Sequence, residues 1–377
     1  MKIETFELER WQSVWENRVD LNISESGVEP MTLAELLGDG DELARLLTLP
    51  LGYPQTNGSE ATREGVARLF LGARAENVLM TSGGSEANYV TSWALLEPGD
   101  ELVFLMPNYL QVAGFARSMG VTVKEWWLRE ELDWQADADE IAKLVTAKTK
   151  MIAVCNPSNP TGAVMSEALM DAVCKAAAKV GAYILADEIY RGAERLRETT
   201  PSFWGRCERV VCTGGFSKAY GLPGLRVGWA VGPAALAEKL WSYHDYTSIA
   251  MTALSDRVAA LALEPARHGR VIQRTRDFIA RQYPPLAQWI AQHAQWFTHR
   301  APDAGAIAWL GWRGPQSADD FAKELLEKKS VLVVPGSQFG APKYLRVGFG
   351  HDAGKLRRAL ERISEALVAA KSATGSV

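Results

Sequence analysis

Lys218 lies in the run Gly214-Gly215-Phe216-Ser217-Lys218-Ala219-Tyr220-Gly221-Leu222-Pro223-Gly224-Leu225-Arg226-Val227-Gly228. A lysine amine condenses with an aldehyde to form an imine. The Ser217 hydroxyl beside it and the Arg226 guanidinium eight residues on could hold an anion next to that bond. Most lysines are solvated surface charges, so the residue type alone says little. This stretch is rich in glycine and nearly uncharged, and burial there is expected to lower the ammonium pKa and free the amine as a nucleophile.

Other runs carry compatible chemistry. Asn156-Pro157-Ser158-Asn159-Pro160-Thr161-Gly162 follows the apolar run Met151 to Cys155. By composition it is a turn, but its position brings amide side chains to a strand end. In Ala186-Asp187-Glu188-Ile189-Tyr190 a carboxylate ends a buried strand, where it is either a local cap or the partner of a cation. Thr81-Ser82-Gly83-Gly84-Ser85-Glu86-Ala87-Asn88 reads as strand, glycine turn and helix start, which collects free N–H groups and the positive end of a helix dipole. Tyr109 stands after Pro107-Asn108, and Tyr53 sits in Gly52-Tyr53-Pro54-Gln55-Thr56-Asn57-Gly58. Arg346, in Tyr344-Leu345-Arg346-Val347-Gly348-Phe349, falls within an apolar strand and needs an anion, either internal or from a substrate.

Taken in order, these motifs resemble the class I/II aminotransferases, the fold-type-I enzymes that use pyridoxal 5′-phosphate (PLP). The resemblance runs from Tyr53 to Arg346. It implies that Lys218 forms the cofactor imine and then moves the proton between substrate Cα and cofactor C4′. It implies that Asp187 pairs with the pyridine nitrogen, and that Asn159 and Tyr190 hydrogen-bond the phenolic oxygen. Tyr109 would stack on the ring, and Gly83, Gly84, Ser85, Ser217 and Arg226 would hold the phosphate. Gly215 stands where many relatives carry a phosphate-binding serine, which shifts weight to Ser85, Ser217 and Arg226, or to Thr213. Arg346, with Asn159, would grip the substrate carboxylate. Tyr53 would reach the phosphate in a neighbouring subunit, which makes the enzyme a homodimer.

The activity so implied is transfer of an amino group from an L-amino acid to a 2-oxo acid. The runs Ser24-Glu25-Ser26-Gly27-Val28, Ser217 to Trp229 and Val331-Leu332-Val333-Val334-Pro335-Gly336 also resemble capreomycidine synthase, a kind of enzyme that uses PLP for elimination and ring closure on a hydroxylated arginine. A third reading is the effector-binding half of a transcription regulator. It needs an N-terminal DNA-binding domain, and the ~50 residues before Tyr53 leave no room for one on the sizes such domains take.

The elements that must position these residues are legible as periodicity. Apolar runs at Val78–Met80, Glu101–Leu105, Val121–Val123, Met151–Cys155, Tyr183–Ala186 and Arg209–Cys212 alternate with helical spacing at Ser85–Leu96, Leu110–Met119 and Ser166–Val180. That alternation predicts a doubly wound, mostly parallel α/β sheet with its ligand beyond the strand carboxyl ends. Helices are expected from Pro233 through Leu263 and from Arg267 to His293. Short strands near Ala306–Leu310, Val331–Val334 and Tyr344–Val347, with helices at Ala318–Lys328 and Ala353–Ala370, predict a smaller α+β domain. The expected division is residues 46–262 for the large PLP-binding domain, and 1–45 with 263–377 for the small one. The first ~45 residues are expected to pack on the small domain or across the dimer interface, and Lys371–Val377 to fray.

The 377 residues carry a net charge of −4, with 47% hydrophobic and 23% charged residues. Such a balance offers nothing to nucleic acid or a membrane surface. With no signal peptide or membrane-length apolar run, a cytoplasmic protein is expected. Cys155, Cys174, Cys207 and Cys212 have no metal-like spacing and are expected to be buried, reduced thiols. His244 and His351 are isolated, and nothing in the sequence fixes whether Trp241, Tyr243 or His244 lines a substrate pocket.

Overall fold

The computed structural model describes residues 3–38, 40–196 and 198–374. Its large sheet has eight strands among these residues, in the spatial order Val78–Thr81, Gly228–Val231, Val210–Gly215, Tyr183–Asp187, Thr149–Cys155, Glu101–Met106, Thr122–Arg129, Gln135–Ala136. The five strands from Val210–Gly215 to Thr122–Arg129 are mutually parallel. Gly228–Val231 runs antiparallel to both its neighbours.

Side-chain alternation explains why the inner strands are almost wholly apolar, whereas Thr122–Arg129 keeps Lys124, Glu125 and Arg129. Val103, Leu105, Ile152, Val154, Ile184 and Ala186 enter one hydrophobic core. Leu102, Phe104, Met151, Ala153 and Leu185 enter another on the opposite face. A strand buried on both sides has no solvent face on which to place polar residues. The parallel register sets Cys155 beside Asp187 and Asp187 beside Thr213, a polar row at the carboxyl edge. Through the antiparallel strand, Gly215 and Thr81 both lie opposite Gly228, so the helix after Thr81 begins at that same edge.

A second sheet, four-stranded and antiparallel, is ordered Phe297–His299, Ile307–Trp312, Tyr344–Gly348, Val334–Pro335. Arg346 sits in its third strand, opposite both Trp309 and Val334. Leu21–Asn22 pairs in parallel with Val331–Leu332, the stretch that leads directly into Val334–Pro335 of that sheet. The helix Glu7–Trp15 is tied to it by Trp11 Nε1 donating to the Val333 carbonyl (2.9 Å).

Several expectations need correction. The stretch after Pro233 is two helices, Ala234–His244 and Ala253–Ala262. Between them Ile249 takes a left-handed φ of 66°, and the Thr252 hydroxyl caps the second helix by accepting from Ser255 N (3.1 Å). The C-terminal helix runs to Thr374 rather than fraying from Lys371, and 375–377 lie outside the described residues. Cys174 and Cys207 are not reduced thiols but form a disulfide. The loop carrying Cys207 folds back on the helix Glu167–Val180, where Arg206 binds Glu167 and Asp171, and the two Cα atoms come within 5.7 Å, a span a disulfide bridges. Cys155 and Cys212 are free and buried. Among the described residues, no helix is long and apolar enough to cross a membrane.

Candidate active site

A cavity of about 370 Å³ opens at the carboxyl edge of the large sheet. Gly84, Ser85, Tyr109, Asn159, Asp187, Tyr190, Ser217, Lys218, Arg226 and Arg346 all line it. Two expected residues do not. Gly83 stands behind the wall, and Tyr53 is 86% exposed on the outside of its own chain.

Asp187 ends its strand inside the protein. Burial pushes its carboxyl pKa up, while the Asn88 amide (Nδ2 to Oδ2, 2.9 Å) and the Ile189 N–H (3.1 Å) favour the charged form. Asn88 is itself oriented by Thr213, whose hydroxyl donates to Oδ1 at 2.6 Å. Thr213 therefore serves Asp187 and not an anion site, contrary to the expectation that it could share in phosphate binding. A carboxylate so placed calls for a cation in the cavity.

The adjoining wall, at the start of the helix that carries Asn88, offers donors to an anion. The helix Gly84–Leu95 is preceded by Gly83, which provides no side-chain cap, and Gly84 and Ser85 face the cavity. A Cβ on Gly83, whose φ is +95°, would lie 2.5 Å from Arg226 Nη2 and displace that guanidinium. Arg226 Nη1 lies 3.5 Å from Ser217 Oγ, within reach of one shared anion. A Cβ on Gly215 would lie 2.7 Å from the Val227 carbonyl, which explains why no serine stands there.

Lys218 is not in the uncharged setting its sequence suggested. Its side chain is 24% exposed, and Nζ lies 3.8 Å from Glu25 Oε2. The Lys218 ammonium, and secondarily Arg346, holds the Glu25 carboxyl below its ordinary range against the opposing effect of burial.

Arg346 is buried. Nη1 donates to Asn159 Oδ1 (2.9 Å), Nη2 to the Ser24 carbonyl (2.6 Å), and Nε has no partner. The Asn159 oxygen is thus spoken for, which leaves its amide N–H groups for a ligand. Tyr190 donates to Ser26 Oγ (2.8 Å), and Tyr109 donates to Glu9 (2.7 Å). Ser26, Asn88 and Glu9 are site residues that sequence reasoning did not single out. Asn88 had a usable signal, being one helical turn past the glycine pair on the face of Gly84.

Glu86, in the first turn of the same helix, lies beneath the cradle. Burial opposes its ionisation, but hydrogen bonds from His244 (3.1 Å), Thr247 and Ser82 prevail and bring it from 4.5 down to about 2. His244 is therefore a buried support of that helix rather than a pocket residue. Trp241 and Tyr243 lie off the cavity too, Trp241 donating to Thr56 Oγ1 (2.9 Å) and Tyr243 packing edge-on against Trp93.

Residues 49–363 match the family model "Aminotransferase class I and II". The chain belongs to that family. It is 31% identical over 364 residues to capreomycidine synthase of Streptomyces vinaceus, a match covering 96% of this chain and 93% of that one. Its fold superposes on a PLP-dependent aminotransferase from Streptococcus suis with a TM-score of 0.91, at 32% identity and with 97% and 98% of the two chains covered. A PLP-dependent cyclase, OrfR, gives a TM-score of 0.88 at 30% identity with the same coverage. The fold is fold-type I and the cofactor is PLP. The buried Asp187 carboxyl and the uncapped Gly84–Ser85 turn beside Arg226 suit a pyridinium nitrogen and a phosphate.

Proposed function

We propose that this enzyme transfers the amino group of an L-amino acid to a 2-oxo acid, using Lys218, Asp187 and Arg346 in one cavity. That juxtaposition of amine, buried carboxylate and buried guanidinium carries the reading. When bound, PLP supplies an electron sink for the bonds at substrate Cα. Asp187 keeps the ring nitrogen protonated, and its charge is held in place by Asn88. The Asn159 amide, and Tyr190 once its hydroxyl turns away from Ser26, would donate to the phenolic oxygen, Tyr109 would cover the ring, and Ser85, Ser217 and Arg226 would hold the phosphate. Arg346 orients the α-carboxylate through its remaining donor capacity, which aligns the Cα–H bond with Lys218. Lys218 Nζ would take the Cα proton and hold it for return. A homodimer, with Tyr53 reaching the neighbouring site, and a cytoplasmic location belong to the same reading, as does the division at residues 46–262.

The test is direct. Borohydride reduction should fix PLP irreversibly to Lys218, and a label mapped to any other lysine removes the central assignment.

A second reading, elimination with ring closure, is supported by the full-length likeness to capreomycidine synthase. Both reactions begin with the same Cα deprotonation, so the same residues serve either. Product analysis separates them: transamination leaves a 2-oxo acid and the pyridoxamine form, and cyclisation leaves a cyclic amino acid and unchanged cofactor.

A further inference from the structure

The cavity contains more negative charge than the proposed reaction uses. Its charged lining is Asp187, Glu9, Glu16 and Glu25 against Lys218, Arg226 and Arg346. On the reading above, Arg226 is taken by the phosphate, Arg346 by the α-carboxylate, Asp187 by the ring nitrogen and Lys218 by the cofactor aldehyde. Three glutamates remain. Glu9 is engaged by the Tyr109 hydroxyl (2.7 Å). Glu25 has Lys218 at 3.8 Å and loses that counter-ion when the amine turns to the cofactor. Among the described residues, no hydrogen bond or ion pair engages the Glu16 carboxylate. Its pKa is raised by partial burial and by the facing charges of Glu25 and Glu9. Nor is the acidic wall adventitiously placed. The helix carrying Glu9 is pinned by Trp11 on the Val333 carbonyl and by Gln12 on Ser24 Oγ (2.9 Å), and Glu16 is its C-terminal cap residue.

We infer that the substrate is an amino acid whose side chain ends in a cation, an ammonium or guanidinium, received by Glu16 and Glu25. This rests on the PLP reading of the cavity and names the substrate class it serves. A cation there relieves the mutual repulsion of the glutamates and replaces the counter-ion that Glu25 gives up.

The probe pair is L-arginine and L-citrulline, which match in shape and differ in charge, with L-ornithine and L-norleucine as a second pair. The PLP-loaded enzyme is titrated with each, reading apparent Kd from the cofactor absorbance and kcat/KM from product. A charge-assisted contact predicts roughly ten- to a hundredfold preference for the cationic member of at least one pair. Glu16→Gln should remove most of that preference, read as the cationic-to-neutral ratio. Glu25→Gln, which also faces Lys218, is read only through the cationic-to-neutral ratio and should lower it as well. Raised ionic strength should weaken only the cationic members. A loaded enzyme that favours neutral or acidic amino acids, or responds to neither pair, overturns this inference alone. So does a preference untouched by Glu16→Gln. A protein that takes no PLP at Lys218 overturns the reading beneath it.

Discussion

Asp187 offers a sharp division between a structural and a chemical role. Its neighbours Asn88 and the Ile189 N–H would satisfy a simple turn cap, and burial alone pushes the carboxyl up. Asp187→Asn keeps the shape and removes the charge. If the charge holds the ring nitrogen protonated, kcat should fall by at least ~100-fold, the scale of a lost general-acid or electrostatic contribution. The phosphate cradle should still retain PLP. Near wild-type turnover would leave Asp187 a cap. The two arginines are separable in the same spirit. If Arg346 grips the substrate carboxylate while holding Asn159, Arg346→Lys loses that fork, and KM should rise about ten- to a hundredfold for amino acids and 2-oxo acids alike with PLP retained. Arg226→Lys should shed PLP first, measured by absorbance after dialysis. Unfolding or PLP loss in Arg346→Lys with KM intact makes Arg346 an internal tether to Ser24 and Asn159.

At the scale of elements, the helix Gly84–Leu95 depends on Glu86, whose carboxylate accepts from Ser82, Thr247, Ser248 and His244. Its folded pKa of about 2 lies below the ordinary 4.5. Its stabilising contribution is therefore complete above about 4.5 and is lost as pH falls toward 2. Glu86→Gln should lower Tm at neutral pH, and the gap between variant and wild type should narrow steadily across that acidic window. A gap independent of pH would assign the loss to packing instead. The sequence disclosed the inner parallel strands because each is apolar on both faces, but only the start of Thr122–Arg129, whose Lys124 and Glu125 interrupt the apolar run. It disclosed the glycine turn because composition and order agree there. It did not disclose Gly228–Val231 as a strand, because four residues following directly on Arg226-Val227 show no separate period. Nor did it reveal the break at residues 245–252, where Tyr246, Thr247 and Ser248 carry no glycine or proline to mark it. The Cys174–Cys207 pairing and the approach of Glu9, Glu16 and Ser26 to the site are long-range contacts, and local spacing does not encode them.

At the scale of the whole molecule, exposed apolar side chains recur on two neighbouring segments. Leu47, Leu51 and Tyr53 stand on one segment, and Tyr246, Ile249 and Leu254 on another. The two are laced together by Trp241 on Thr56 and by Asp256 accepting from Ser59 N (3.1 Å), so they form one face. An apolar face of that kind suits burial against a second copy, and a two-fold contact would carry each Tyr53 away from its own cavity toward the partner's. Mixing variants tests this arrangement. Tyr53→Ala and Lys218→Ala should each be crippled as pure proteins. In a hybrid dimer one site receives both defects and the other receives neither. If subunits exchange freely at a 1:1 ratio, half the dimers are hybrids with one intact site, so activity should recover to about a quarter of wild type. Should Tyr53 serve only its own chain, every site in the mixture carries one defect and nothing is recovered. A Leu51→Glu substitution on the same face should shift sedimentation to the monomer and prevent recovery in the mixture, even though Leu51 is absent from the cavity lining.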